Sequence, residues 1–175
     1  PYIKRVTVTR ALSGEVRIHV EEYDGAYYVE YENAYYILSD SLRVLDKTED
    51  IADCLAKAEV CVILPEIKEA KVGKALVFAD KTKSATVRQT LESFSAFSYQ
   101  SLLLWSDLSS EFAITANIDN RYQLILGNTS DLDGKLALTA ESIRHLSENM
   151  GGATGTLYAA IPGEVSFEVT GVAGG

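Results

Sequence analysis

Histidine and cysteine are scarce in this 175-residue chain, with two of each. His19 and His145 have no adjacent Ser or Cys nucleophile pattern and no metal-ligand partner at helical or hairpin spacing, so both read as surface residues. Cys54 and Cys61 lack nearby histidines and make a poor zinc site. If residues 50–59 are helical, the two thiols sit about two turns, roughly 10 Å, apart, beyond disulfide reach. If the chain turns extended near Glu59, a bridge becomes possible. Basic charge is also short, with 16 Lys and Arg against 25 Asp and Glu, a net charge of −9. That balance argues against nucleic-acid binding, which needs clustered Lys and Arg, and it disfavours docking to anionic lipid. No apolar run approaches the roughly 18–20 residues of a spanning helix, and no signal peptide is visible. Asp46, Glu49, Asp50 and Asp53 lack EF-hand spacing and its central glycine. Nothing in the composition seeds an enzyme, a metal site or a cofactor site.

What is present suits a globular fold, with 47% apolar and 23% charged residues. Ile3 to Arg10 and Glu15 to Glu21 alternate as two strands joined at Leu12-Ser13-Gly14. A second hairpin, Ala26 to Tyr31 and Ala34 to Leu38, turns at Glu32-Asn33, and Leu42 to Leu45 extends that sheet. Asp46 to Asp53 suits a loop or a helix start. Ile51, Leu55 and Ala58 have helical spacing, and Val60 to Leu64 is a short buried strand before Pro65. Lys68 to Lys74 reads as a loop.

Thr82 or Ser84 can cap a helix that buries Val87, Leu91 and Phe94. Three strands follow: Leu102 to Trp105, then Phe112, Ile114 and Ala116, then Tyr122, Leu124 and Leu126 after a turn at Asp119-Asn120. A second helix, capped by Ser130 or Asp131, buries Leu132, Leu136, Thr139 or Ala140, Ile143 and Leu146 and stops at Gly151. The chain closes on Leu157 to Ile161 and Val165 to Thr170. This order predicts an α+β fold, a mainly antiparallel sheet with two or three helices packed on one face.

Two stretches resemble a known family. Tyr2-Ile3-Lys4-Arg5-Val6-Thr7-Val8-Thr9-Arg10-Ala11-Leu12, followed by Val16-Arg17-Ile18-His19-Val20-Glu21-Glu22, is similar to the end of the POTRA domain in FtsQ/DivIB proteins. Ala34-Tyr35-Tyr36-Ile37-Leu38-Ser39-Asp40 resembles the run that opens the family's β-domain. The ending is the better match: a strand reaching Leu126-Gly127, Lys135-Leu136 on a helix, Gly155-Thr156-Leu157, and Pro162-Gly163-Glu164-Val165-Ser166-Phe167. Ser13 stands where the family usually has Pro, Tyr23 where an Arg-Pro pair is common, and the stretch around Cys54 to Cys61 has no clear counterpart.

The resemblance implies a partial POTRA hairpin over residues 1–22, a β-domain over 23–170 and a flexible tail over 171–175. With the strand-like opening at Pro1, it leads to the expectation of a portion of a longer, single-pass membrane protein, lying on the extracytoplasmic side of the cell membrane. It further implies a non-enzymatic divisome scaffold at the septum, with FtsB/DivIC-like and FtsL-like partners docking near the C-terminal strand. The residues suggest the same surface independently. If the last strand is an edge, Val165, Phe167 and Val169 face the core, Ser166, Glu168 and Thr170 face out, and the unpaired main chain is a template for an incoming strand. The candidate partner-binding residues are therefore Tyr158, Gly163, Glu164, Val165, Ser166, Phe167, Glu168, Val169 and Thr170. The rival expectation is an extracytoplasmic glycan- or lipid-binding module using the tyrosine-rich sheet between Tyr23 and Tyr36.

Overall fold

A computed structural model describes residues 1–97 and 102–172 of the protein. The chain is α+β, as the element order predicts. Strands β1 (Ile3–Arg10) and β2 (Val16–Glu22) form a separate antiparallel ribbon, turning where Gly14 takes a positive φ of 87°. Its cross-strand pairs Val6–Val20 and Val8–Ile18, with Val16, make one aliphatic face that nothing among the described residues covers.

Nine further strands form one sheet: β3 (Tyr27–Tyr31), β4 (Ala34–Leu38), β5 (Val44–Thr48), β6 (Val60–Ile63), β9 (Leu103–Asp107), β10 (Ile114–Ile118), β11 (Tyr122–Gly127), β12 (Ala153–Tyr158) and β13 (Ser166–Val172). The spatial order is β13-β12-β11-β10-β9-β6-β3-β4-β5. Hairpin connections make most neighbours antiparallel, while β3–β6, β6–β9 and β11–β12 are parallel. The β3–β4 loop has two residues and the β10–β11 loop three, and each turn holds an adjacent pair, Glu32-Asn33 and Asp119-Asn120, at φ between 50° and 58°. Short strands β7 (Ile67–Glu69) and β8 (Val77–Phe78) pair outside this sheet. Residues 68–74, expected to form a loop, thus begin as a strand, and β5 runs on to Thr48 into the stretch expected to be a loop or a helix start, where α1 then begins at Ile51.

Helices α2 (Lys83–Ala96) and α3 (Leu132–Asn149) cover one face. Their spacing puts Val87, Leu91 and Phe94, and Leu132, Leu136 and Leu146, into a common core with Leu38, Val62, Ile118, Leu124 and Leu157. The short α1 (Ile51–Leu55) lies against the other face, where Cys54 meets Ile37, Leu45 and Ala58. Alternation along β4 and β5 makes this two-sided packing possible, sending Leu38 and Val44 one way and Ile37 and Leu45 the other. Because α1 ends at Leu55, the continuous helix to residue 59 does not form. Both cysteines are free thiols, and burial raises the pKa of each.

Some local expectations fail for identifiable reasons. Phe112 is 74% exposed because β10 begins only at Ile114. α3 stops at Met150, but Gly151 does not take a left-handed conformation; the Met150 N–H closes the last turn onto the Leu146 carbonyl. Thr82 and Asp131 occupy the N-cap positions without a side-chain cap bond. Strand β13 extends to Val172, so residues 171 and 172 belong to the sheet, and the remainder of the expected tail lies outside the described residues.

Lys135 is fully buried at the start of α3. Its Nζ donates to the Leu126 carbonyl and the Asn128 carbonyl, each at 3.0 Å, and to Asn128 Oδ1 at 3.1 Å. Burial lowers its pKa, against the opposing pull of the Asp131 carboxylate. The ammonium thereby ties the first turn of α3 to the end of β11. Lys135→Met should lower unfolding free energy by about 1–3 kcal/mol, because it strands buried carbonyls, and denaturant titration checks this.

On the α1 side, Lys57 Nζ donates to Asp46 Oδ2 at 2.6 Å, and this bond is the main cause of the lowered Asp46 pKa. A depressed carboxylate pKa contributes stability that is present above the ordinary value of 3.8 and is lost as pH falls through the folded value. Wild type should therefore be the more stable protein near neutral pH, with its stability curve converging on that of Asp46→Asn below pH 3.8. Thermal melts across an acid titration measure both.

Candidate partner-binding edge

Strand β13 has one neighbour in the sheet, β12. The backbone bonds on the far side of β12 settle which main-chain groups of β13 face outward. The Gly155 N–H donates to Arg121 O at 3.0 Å and the Ala159 N–H to Ile125 O at 2.9 Å, so residues 155, 157 and 159 point their main chain toward β11. Thr156 and Tyr158 therefore point theirs toward β13, where they oppose Glu168 and Ser166. By alternation, the N–H and C=O groups of Phe167 and Val169 face the open edge. Ser166 and Glu168 spend theirs on β12, so a proline there would cut the sheet itself.

Phe167 anchors this edge. Its ring packs against the main core and meets the Tyr122 ring edge-on at a centroid distance of 5.9 Å. Gly155 makes that contact possible. It pairs with Tyr122 on one side and Val169 on the other, and a Cβ there would collide with the Glu168 carbonyl and lie 2.7 Å from the Phe167 ring. Two aromatic side chains from β11 and β13 thus close over a bare position in β12.

The expected alternation holds for Val165 and Phe167, both half-buried against the core. It fails at Val169, which is 50% exposed. The register shifts between Thr154 and Gly155, leaving Thr170 as an extra residue between the Val169 and Gly171 pairings. A bulge also bends a strand away from flat edge-to-edge pairing. Ser166, Glu168 and Thr170 are exposed, as expected. Gly163, at φ 81°, and Glu164, whose N–H donates to Ile161 O at 3.1 Å, form the turn before β13 rather than part of it. Tyr158 stands on the helix-free face and donates to Glu168 Oε2 at 2.9 Å, a bond that raises its phenol pKa.

The opposite end of the sheet is closed over its first half. Val44 N–H donates to Lys74 O at 2.8 Å, Gly73 N–H to Val44 O at 2.7 Å and Leu76 N–H to Leu42 O at 2.9 Å. The tyrosine-rich hairpin is partly core: Tyr27 and Tyr36 are buried, and burial pushes the Tyr27 phenol up to about 12. Tyr28 and Tyr35 meet edge-on at 6.3 Å over the α1 cluster. His19 and His145 are exposed, Trp105 is half-buried on β9, and no three metal-binding side chains gather among the described residues. Sequence reasoning missed the groove between α3 and β13, lined by Leu138, Leu146, Leu157, Val165 and Phe167. Its signal lay in Leu138 and Ser142, which sit on the flank of the helical stripe.

No family model matches the chain, and no curated protein matches it.

Gly155→Ala should loosen the edge selectively. β13 must shift to clear the new methyl, at a cost of about 1–3 kcal/mol. Amide exchange within residues 166–172 should accelerate while β3 and β4 keep their protection, and exchange measured residue by residue checks this.

Proposed function

We propose that the chain is the extracytoplasmic β-domain of an FtsQ/DivIB-like cell-division protein and acts as a non-enzymatic scaffold. It recruits FtsB/DivIC-like and FtsL-like divisome partners by adding a partner strand to β13. The observation that carries this reading is the asymmetry of the sheet. One end is occupied at Leu42 and Val44 by residues 73–76, whereas at the other the main chain of Phe167 and Val169 faces outward. Strand addition takes affinity from such backbone groups and selectivity from the flanking side chains. The resemblance of the C-terminal half to the family supplies the identity of the partners.

The ribbon of β1 and β2 supports reading residues 1–22 as the end of a POTRA domain. A two-stranded ribbon with one bare aliphatic face is marginal alone and packs against a further layer in a complete domain. In this reading the parent protein is anchored by a membrane helix outside the 175 residues. Among the described residues no helix is long and apolar enough to cross a membrane. The rival glycan or lipid platform loses surface to burial of Tyr27 and Tyr36, which leaves the edge as the stronger candidate.

Calorimetric titration with a C-terminal peptide of the FtsB/DivIC type tests the proposal. Saturable binding is expected, and Val169→Pro should abolish it by removing an outward N–H while sparing the ladder to β12. Absence of binding at high micromolar peptide, with the domain shown to be folded, overturns the proposal.

A further inference from the structure

Helix α3 and strands β12 and β13 line a common groove. Leu138, Ser142 and His145 on its outer flank look down on β12 and β13, and the space between holds a groove of about 360 Å³. Leu146, Leu157, Val165 and Phe167 supply an apolar wall, while Glu141, Arg144 and His145 rim it. Inside a sheet, such a space between helix and strands is filled by the side chains of the next strand. Among the described residues no next strand follows β13 here.

The opposite face of the same edge has different chemistry. Ser166 and Glu168 point there, Glu168 accepting from the Tyr158 hydroxyl, with Glu164 in the turn beside them, all exposed. The charges beside it, Glu164 and Glu168, are acidic, in a chain whose net charge is −9. A strand laid along β13 would expose alternate side chains to these two environments in turn.

We propose that the occupant of this edge is a partner strand with a divided side-chain code. One bulky aliphatic or aromatic residue enters the groove under α3, and Lys or Arg on the adjoining, opposite-facing positions meets Glu164 and Glu168. This rests on the strand-addition reading and goes beyond it by specifying the partner's chemistry. The groove residue supplies most of the discrimination, since full burial of such a side chain is worth about tenfold or more in affinity. The exposed charges contribute mainly to association rate and are screened by salt.

A display library of random octapeptides, selected on the immobilised 175-residue protein, tests the code. Val169→Pro serves as counter-selection and Ser142→Phe as a groove-filling variant. Enriched peptides should carry a bulky apolar residue at one parity and Lys or Arg at the other. Replacing the apolar residue with Ala should weaken binding by about tenfold or more. Ser142→Phe should weaken the parent peptide similarly but leave its Ala version unchanged, with thermal melts confirming that the variant folds. Peptides sensitive to Val169→Pro yet indifferent to Ser142→Phe, with no apolar preference, overturn the code and leave strand addition standing. Failure to enrich any peptide sensitive to Val169→Pro overturns both.

Discussion

The contact between Tyr122 and Phe167 across Gly155 is the constraint on which the edge depends. An outermost strand has a ladder on one side only, and β13 would fray if its side chains were all exposed. Phe167 prevents this by reaching over a residue with no side chain to join the core beneath α3. The ring holds the main chain at one height and twist, so its outward groups stay arranged as a strand. Lys135 does related work one layer up, fixing α3 to the end of β11 so that the helix overhangs β12 and β13 at a defined height.

Chain order explains why the last strand is outermost. From β9 onward each strand is laid outside its predecessor: β10 and β11 by hairpin connections, β12 after the excursion through α3, and β13 by a return turn at residues 161–164. The parallel step from β11 to β12 requires a crossover, and α3 supplies it while covering the core. The same helix thus determines the direction of β12, shields the apolar face and forms one wall of the groove.

Elements carried by local periodicity were legible in the sequence. The stripes Val87-Leu91-Phe94 and Leu132-Leu136-Leu146 located both long helices, and Asn33 and Asn120 marked turns that require positive φ. The α+β class followed from element order. Features set by pairing between distant strands were not legible. The bulge that turns Val169 outward arises from register against β12, and the exposure of Phe112 reflects where β10 begins pairing with its neighbours. The direction of each N–H on β13 depended on the β11–β12 bonds. The groove was hidden for the same reason, since it exists only once α3 and β13 are placed together.

Partial closure of the β5 end makes the two ends of the sheet unequal as templates for self-association. Leu42 and Val44 are engaged by residues 73–76, so over the first half of β5 another copy of the molecule finds the outward backbone already taken. A strand added at β13 would leave the far end of the sheet half sealed, which disfavours indefinite stacking of copies.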